Sequence, residues 1–400
     1  MIPGQGTKRR RHRSAGSRRR GPDRPWSDLP PDLLRDILLK LTCRADRVYF
    51  CAVCQPWCSA ADGLDAPRPQ LPWLLLPSPV APSFFSLHSG ATRPLYLPEK
   101  VRAATICGSH DGGWVALAFD QWGGYAAVNL LSGATVPLPD RLRTNHPYLQ
   151  LHGSRACEHP MAIRTVTFSD EPSKDRCLAA AHVSSAFNLA FWRPGMDRHW
   201  VAYGSPVDVI EDIIYYSNEL KEGFHVLSNT EDIVVYSPNG GGPSTPLLMS
   251  RSSYQVQKRA DYKPGTGTLS RYLVESCGNL LMVLRQLKQG RTFGFKIFKM
   301  NLATGGSKVS WVELHALPGQ LLLLGRGCSR AFEVSHFKKN NRPQLGFNIC
   351  FLDDTGLASN GGSNADMGMC VEKSRYLKDR TWRFPRRFTS QGPPPIWFAP

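Results

Sequence analysis

No apolar run in this chain is long enough to cross a membrane. Leu321 to Leu324 falls far short of the roughly 20 residues a helical span needs, and Pro72, Pro77, Pro79 and Pro82 break up the other apolar stretch. Residues 1–25 also lack the apolar core of a secretory signal. No phosphate-binding loop is present, because GTGTLSR at 265–271 has no lysine where that loop needs one. The eleven cysteines are an odd number scattered over 400 residues. That usage fits reduced thiols in the nucleus or cytoplasm, not a disulfide frame.

Acidic residues are scarce as well: 32 stand against 49 Lys and Arg, for a net charge of +17. The excess is concentrated at the start of the chain. Within residues 1–25, Lys8, Arg9, Arg10, Arg11, Arg13, Arg18, Arg19, Arg20 and Arg24 face only Asp23. The two clusters, Lys8 to Arg13 and Arg18 to Arg20, suit a nuclear-import signal. A nucleic-acid arm and a plain solvated tail are the alternatives, and nucleic acid is the less expected partner.

What is present divides the remainder in two. Residues 26–66 read as a small helical module, and residues 70–400 as a separate β region. In the module, Asp28 is placed to cap a helix beginning near Pro30, where proline is tolerated. Leu33, Leu34, Ile37, Leu38 and Leu41 then recur at helical spacing. A second short helix is expected from Ala45 to Cys54, with Val48, Ala52 and Val53 turned inward. Pro56 cannot continue it but can start a third helix, anchored by Trp57. Three helices in so few residues cannot bury all this apolar surface internally. Either a partner covers it, or the module packs on the chain's own β region.

The β region shows short apolar strands separated by Gly, Pro, Asn and Asp. Examples are residues 114–120, 125–130, 187–192, 212–217, 224–228, 232–237, 272–276, 279–285, 295–301 and 347–353. A loose repeat of about 40–50 residues favours a propeller of roughly six or seven blades. A pair of β-sandwiches is the structural alternative.

Sites for chemistry are weak. Cys51, Cys54 and Cys58 share a helical stripe, but a row broken by Pro56 does not make the tetrahedron zinc requires. His110 with Asp111 has no accompanying nucleophile, and the glycines around it suit a turn. The acidic pairs Glu211-Asp212, Glu231-Asp232 and Asp353-Asp354 are expected to point their side chains opposite ways. Trp114, Trp192, Trp200, Trp311 and Trp382 read as blade packing rather than a recognition face. Phe384, Arg386, Arg387 and Phe388 read as a solvated edge. No metal and no cofactor is expected.

Two resemblances give these parts names. Leu29-Pro30, Leu33-Leu34, Ile37-Leu38, Leu41, Val53-Cys54 and Trp57 together resemble the F-box. The resemblance implies docking on the Skp-type adaptor of a cullin-based ubiquitin ligase. In that role Leu29, Pro30, Leu33, Leu34 and Ile37 would meet the adaptor, with Leu38, Leu41 and Cys54 in the same docking set. Val53 and Trp57 would hold the helices together and fill the groove edge. The β region, through GSHDGGWVAL at 108–117, NLLSGATVPLP at 129–139, LAFWRPGMDRHW at 189–200, YLVESCGNLLMVLR at 272–285, FKIFKMN at 295–301 and PPPIWFAP at 393–400, is similar to plant F-box proteins carrying domain of unknown function 295. That domain is propeller-like and kelch-like, so the resemblance implies a non-enzymatic adaptor that presents a protein target to the ligase. A small-ligand binder or enzyme using a propeller channel is the competing reading. It requires polar side chains converging at one mouth.

Overall fold

The computed structural model describes residues 26–41, 44–62, 70–87, 89–120, 123–144, 158–185, 187–195, 198–203, 207, 209–217, 222–239, 247–254, 256–257, 269–288, 291–302, 309–333, 349–352, 367–370, 381–383 and 394–400. The chain separates into two compact units, one ending at Arg68 and one beginning at Pro69.

The first unit holds three helices, α1 (Pro31–Lys40), α2 (Arg44–Cys51) and α3 (Gln55–Ser59). Proline leads α1, where its missing N–H costs nothing, and Asp32 and Lys40 sit at the ends that favour their charges. The residue at the helix boundary is Pro30, which offers no side-chain cap. The expected cap, Asp28, instead lies in a short 3-10 turn and accepts the Ser27 hydroxyl at 3.2 Å. Two consecutive prolines start the helix too far along the chain for Asp28 to reach its N–H groups.

Leu34, Leu38, Phe50 and Ala60 form the core of this unit. Phe50 packs on Trp57 with ring centroids 4.6 Å apart, and Trp57 Nε1 donates to the Trp26 carbonyl at 3.1 Å. Arg47 Nε reaches back to the Leu41 carbonyl at 2.8 Å and covers the end of α1. The inward face expected for α2 is corrected here: Val48, Ala52 and Val53 are all exposed, and Phe50 is the buried residue. Two helical positions are separated by roughly 200°. Burying the larger Phe50 ring therefore turns Val48 to solvent.

The second unit is a six-bladed propeller, in which six separate sheets are arranged around a centre. Counting each blade from the inside outward, blade 1 contains Ile396–Phe398, Trp73–Leu76, Ser83–Ser86 and Ala91–Pro94. Blade 2 contains Thr105–His110, Trp114–Asp120, Gly123–Asn129 and Thr135–Leu138. Blade 3 begins with Ile163–Phe168, Ala179–Val183, Leu189–Trp192 and Trp200–Ala202, and takes two more strands, Arg141–Thr144 and Glu158–Pro160, on its outer edge. Blade 4 contains Ile210–Tyr216, Gly223–Ser228, Ile233–Pro238 and Met249–Tyr254. Blade 5 runs from Leu269–Ser276 through Asn279–Lys288 and Arg291–Leu302 to Val309–Leu314, with Val256–Gln257 outermost. Blade 6 has Arg330–Glu333 innermost, then Gln320–Leu324, Ile349–Phe351, Gly368–Cys370 and Thr381–Arg383. A short helix, α4 (Glu99–Arg102), joins blades 1 and 2.

Because each sheet is covered on both faces by its neighbours, many strands are buried throughout. Trp73–Leu76, Leu189–Trp192 and Gly223–Ser228 are examples. The apolar clusters lie between blades. One joins blades 2 and 3, where Ala179, Ala181 and Ala190 make room for Trp114, Trp192 and Trp200. Others join blades 3 and 4, 4 and 5, and 5 and 6. The ring closes through the last strand of the chain, with Trp73 opposite Phe398, Leu74 opposite Trp397 and Leu75 opposite Ile396.

Candidate functional site

On the helical unit, the side chains expected to dock divide into two groups. Leu34 and Leu38 are buried in the unit's own core. Leu29, Ile37, Leu41, Cys54 and Trp57 are half-buried around it. Pro30 is exposed, as are Leu33 at 49% and Val53 at 55%. Trp26, Leu39, Val48 and Tyr49 add further exposed apolar surface that the sequence reading did not include in the docking set. Its signal was available in the helical register of α2, once Phe50 rather than Val48 is placed inside. Together these groups give the helical unit a continuous set of exposed apolar side chains.

The cysteines of this unit do not gather as a metal site, and no group of three potential metal ligands occurs among the described residues. The Cys51 thiol is pushed up, first by burial and then by the neighbouring Cys58. Cys43 lies outside the described residues, as do Lys8, Arg9, Arg10, Arg11, Arg13, Arg18, Arg19 and Arg20 of the basic tail.

In the propeller, polar side chains do converge at the centre, but they are engaged with one another. Asp212, on the inner strand of blade 4, is fully enclosed. It accepts the backbone N–H of Ile213 and of Leu273, both at 2.9 Å, and that of Gly327 at 3.3 Å. Burial pushes its carboxyl up to about 7, against the pull of those three donors. Gly327 belongs to the turn after Gln320–Leu324, so this turn of blade 6 crosses the centre to reach blade 4. An added Cβ on Gly327 would lie 3.5 Å from Thr165, on the inner strand of blade 3. The turn therefore fills the channel at this level.

Beside Asp212, Glu211 pairs with Arg271 at 3.5 Å and Arg326 at 3.6 Å. Arg271 also pairs with Glu231 at 3.3 Å. Glu231 holds a left-handed backbone (φ 66), and its carbonyl accepts Trp311 Nε1 at 3.0 Å. The expectation that Glu211 and Asp212 point apart is corrected. A register shift between Ile210 and Asp212 lets both reach the junction of blades 4, 5 and 6. Both carboxylates are occupied there, by arginine and by backbone N–H respectively.

At the opposite end of the inner strands, Asp111 is held by Arg330 Nε at 3.0 Å. His110 stands edge-on to Phe168, and its pKa is lowered first by burial and then by Arg330. No serine, cysteine or threonine nucleophile is hydrogen-bonded to His110 among the described residues. Trp114, Trp192, Trp200 and Trp311 are buried between blades. The side chain of Trp382 lies outside the described residues, as do Asp353, Asp354, Phe384, Arg386, Arg387 and Phe388.

A helical docking unit followed by a six-bladed ring agrees with two family matches. Residues 26–67 match the F-box domain, and residues 84–371, more than two-thirds of the chain, match the KIB1-4 beta-propeller. The chain belongs to the KIB1-4 beta-propeller family. Its curated relatives include the F-box protein At2g05970 of Arabidopsis thaliana, 23% identical over 390 residues, covering 90% of this chain and 96% of that one. A second Arabidopsis thaliana F-box protein, At4g17565, is 25% identical over 394 residues, covering 91% and 96%. Among solved structures, Hsv2 of Kluyveromyces lactis aligns over 61% of this chain and 95% of its own, with 9% identity and a TM-score of 0.26, too distant to bear on function. The F-box and KIB1-4 propeller are thus joined in one chain, the organisation of a substrate adaptor: one unit to dock and one to hold.

Proposed function

We propose that this F-box protein is a non-catalytic adaptor that docks on a Skp-type subunit of a cullin-based ubiquitin ligase and presents a protein target through its KIB1-4 propeller. The observation that carries this reading is the exposed apolar face of the F-box unit, with Leu33 at its head and Pro30 beside it. Helix-in-groove docking on such anchors needs no further chemistry. The propeller then raises the local concentration of its target at the ligase. The engaged state of Glu211, Asp212 and Asp111 favours this over catalysis in the channel.

The test combines Pro30→Ala with Leu33→Ala in the full chain and measures co-purification with a Skp-type adaptor. Capture is expected to fall at least tenfold, about the loss of 1.4 kcal/mol of contact, while the propeller's melting temperature stays unchanged. Both residues are at the surface, so a loss of capture is not a folding effect, and unchanged capture would sink the adaptor assignment.

A further inference from the structure

Blades 4, 5 and 6 meet on one carboxyl group, that of Asp212, which is fully enclosed. Its Oδ1 accepts the N–H of Ile213 from its own blade and of Gly327 from blade 6, at 2.9 and 3.3 Å. Its Oδ2 accepts only the N–H of Leu273 from blade 5, at 2.9 Å, among the described residues. Oδ2 therefore keeps a site where a proton can sit without breaking any of the three contacts.

Gly327 belongs to a turn that is closed on itself. The Cys328 N–H donates to the Gly325 carbonyl at 3.0 Å, and the Ser329 hydroxyl donates to the same carbonyl at 2.9 Å. The Gly325 N–H in turn reaches the Ser329 hydroxyl at 3.2 Å. Residues 325–329 are thus braced to move as one piece. The contact of Gly327 with Asp212 ties that piece to blade 4, and the pair of Arg326 with Glu211 at 3.6 Å is a second tie. A cleft lined by Arg164, Thr165, Arg326 and Cys328 runs along the turn. Water from this cleft would reach the carboxyl if the turn were displaced.

The charged and titratable groups around Asp212 come from blades 3, 4, 5 and 6. Glu211 lies on its own strand, and Glu231 in the turn after Gly223–Ser228. Blade 5 supplies Arg271, blade 6 supplies Arg326, and blade 3 presents Arg164 and His182 toward Arg326. The guanidiniums of Arg271 and Arg326 have Glu211 and Glu231 as partners, so Asp212 is held chiefly by its three N–H donors. Enclosure outweighs those donors, and the carboxyl rises to about 7. His182 is lowered to about 4, first by burial, and stays neutral above about pH 5.5. We infer that Asp212 is a proton-operated latch on the 325–329 turn. Protonated, it keeps the turn seated across the channel; ionised, it loosens the turn and draws water to the carboxylate. Linkage sets this direction. With the turn seated, the carboxyl keeps its proton up to about 7, whereas a hydrated carboxyl ionises near its ordinary 3.8. Loosening therefore grows about tenfold per pH unit between these limits and levels off above them. The latch acts whatever the propeller binds, and it does not rest on the adaptor reading.

Hydrogen exchange of the full-length protein, read by mass spectrometry on peptides spanning residues 325–329, tests the latch in the wild type first. Protection is corrected for the intrinsic pH dependence of exchange and compared with a peptide from Trp114–Asp120 in blade 2. From pH 7.5 to pH 5.5 the turn should gain at least about tenfold in protection, and the blade 2 peptide should gain none. Asp212→Asn cannot ionise, so its turn should show the same protection at both pH values. Arg326→Gln retains Asp212 but removes a cation that favours its ionisation. It should keep the pH dependence and move its upper limit to higher pH. Equal protection of the wild-type turn at both pH values overturns the inference, as does an equal gain in blade 2. So does a pH dependence that survives in Asp212→Asn. If Asp212→Asn does not fold, Arg326→Gln decides, and an unmoved limit overturns the latch.

Discussion

His225 has no solvent exposure, and its ring stands edge-on to Tyr216 with centroids 5.3 Å apart. Nδ1–H donates to the Gly223 carbonyl at 3.1 Å, and Nε2 is buried without a partner among the described residues. Charging this ring would bury an unpaired cation, so its pKa is lowered to about 4, chiefly by burial. The unfolded chain binds that proton near pH 6.5 and the folded chain does not. The stability this neutral ring permits is therefore complete above about pH 6.5 and is lost as pH falls toward 4. His182 follows the same sign. Asp212, with its carboxyl raised to about 7, acts oppositely and disfavours folding as pH rises from about 4 to 7. Between pH 7 and pH 5 His225 alone should account for about 2 kcal/mol of lost stability. Urea unfolding of wild type and His225→Leu at both pH values checks this. An identical pH loss in the two proteins would show that the ring is not the cause. None of this was legible in the sequence, where His225 is one alternating position in FHVLS and its enclosure depends on blades brought together from elsewhere.

Elements were far more legible. Residues 114–120 emerge as Trp114–Asp120, 224–228 within Gly223–Ser228, and 279–285 within Asn279–Lys288, because apolar runs between turn residues are a local signal. The helix pattern located α1 but put Leu34 and Leu38 in the docking set, whereas both lie in the unit's own core, and it misplaced the face of α2. An eight-residue helix with Val48, Tyr49 and Phe50 in succession, continued by Ala52 and Val53 just past its end, offers apolar residues on more than one side, so periodicity alone does not choose. The close approach of strands from different blades was equally invisible. A Cβ on Gly108 would stand 2.2 Å from the Val166 carbonyl, between the inner strands of blades 2 and 3. The turn reading of the GSHDGGW segment did not anticipate this role for its first glycine. Gly108→Ala should cost about 1–3 kcal/mol, as overpacking does, and lower the melting temperature. Gly133→Ala faces open space and carries only the penalty of its left-handed backbone, φ +77. If Gly108→Ala melts with wild type, the blades are not locked at this contact.

At the scale of the whole molecule, the ring is one cooperative object because its ends meet. The C-terminal strand supplies the innermost position of blade 1, and its Trp397 is buried and donates to the Leu324 carbonyl of blade 6 at 2.9 Å. Ser109 of blade 2 donates to the Trp397 carbonyl at 2.6 Å, so one residue joins three blades. Deleting residues 396–400 should abolish cooperative unfolding of the propeller. Trp397→Ala should cost about 3–5 kcal/mol. Differential scanning calorimetry reads both, and a truncated chain that still melts in one sharp transition at the wild-type temperature would refute the closure.

The amino-acid order by itself determined the division into a helical docking unit and a repeated β region, and through the F-box landmarks it pointed to one class of partner. Those features are local: helical spacing, turn residues and apolar runs act within a few residues of one another. Tertiary structure decided the blade number, the closing strand, the turn that fills the channel, and which charges are consumed. Arg326 and Arg164 are equivalent basic residues in the sequence. Only the approach of blade 4 gives Arg326 the Glu211 carboxylate, whereas Arg164 donates to the Ser184 hydroxyl within blade 3.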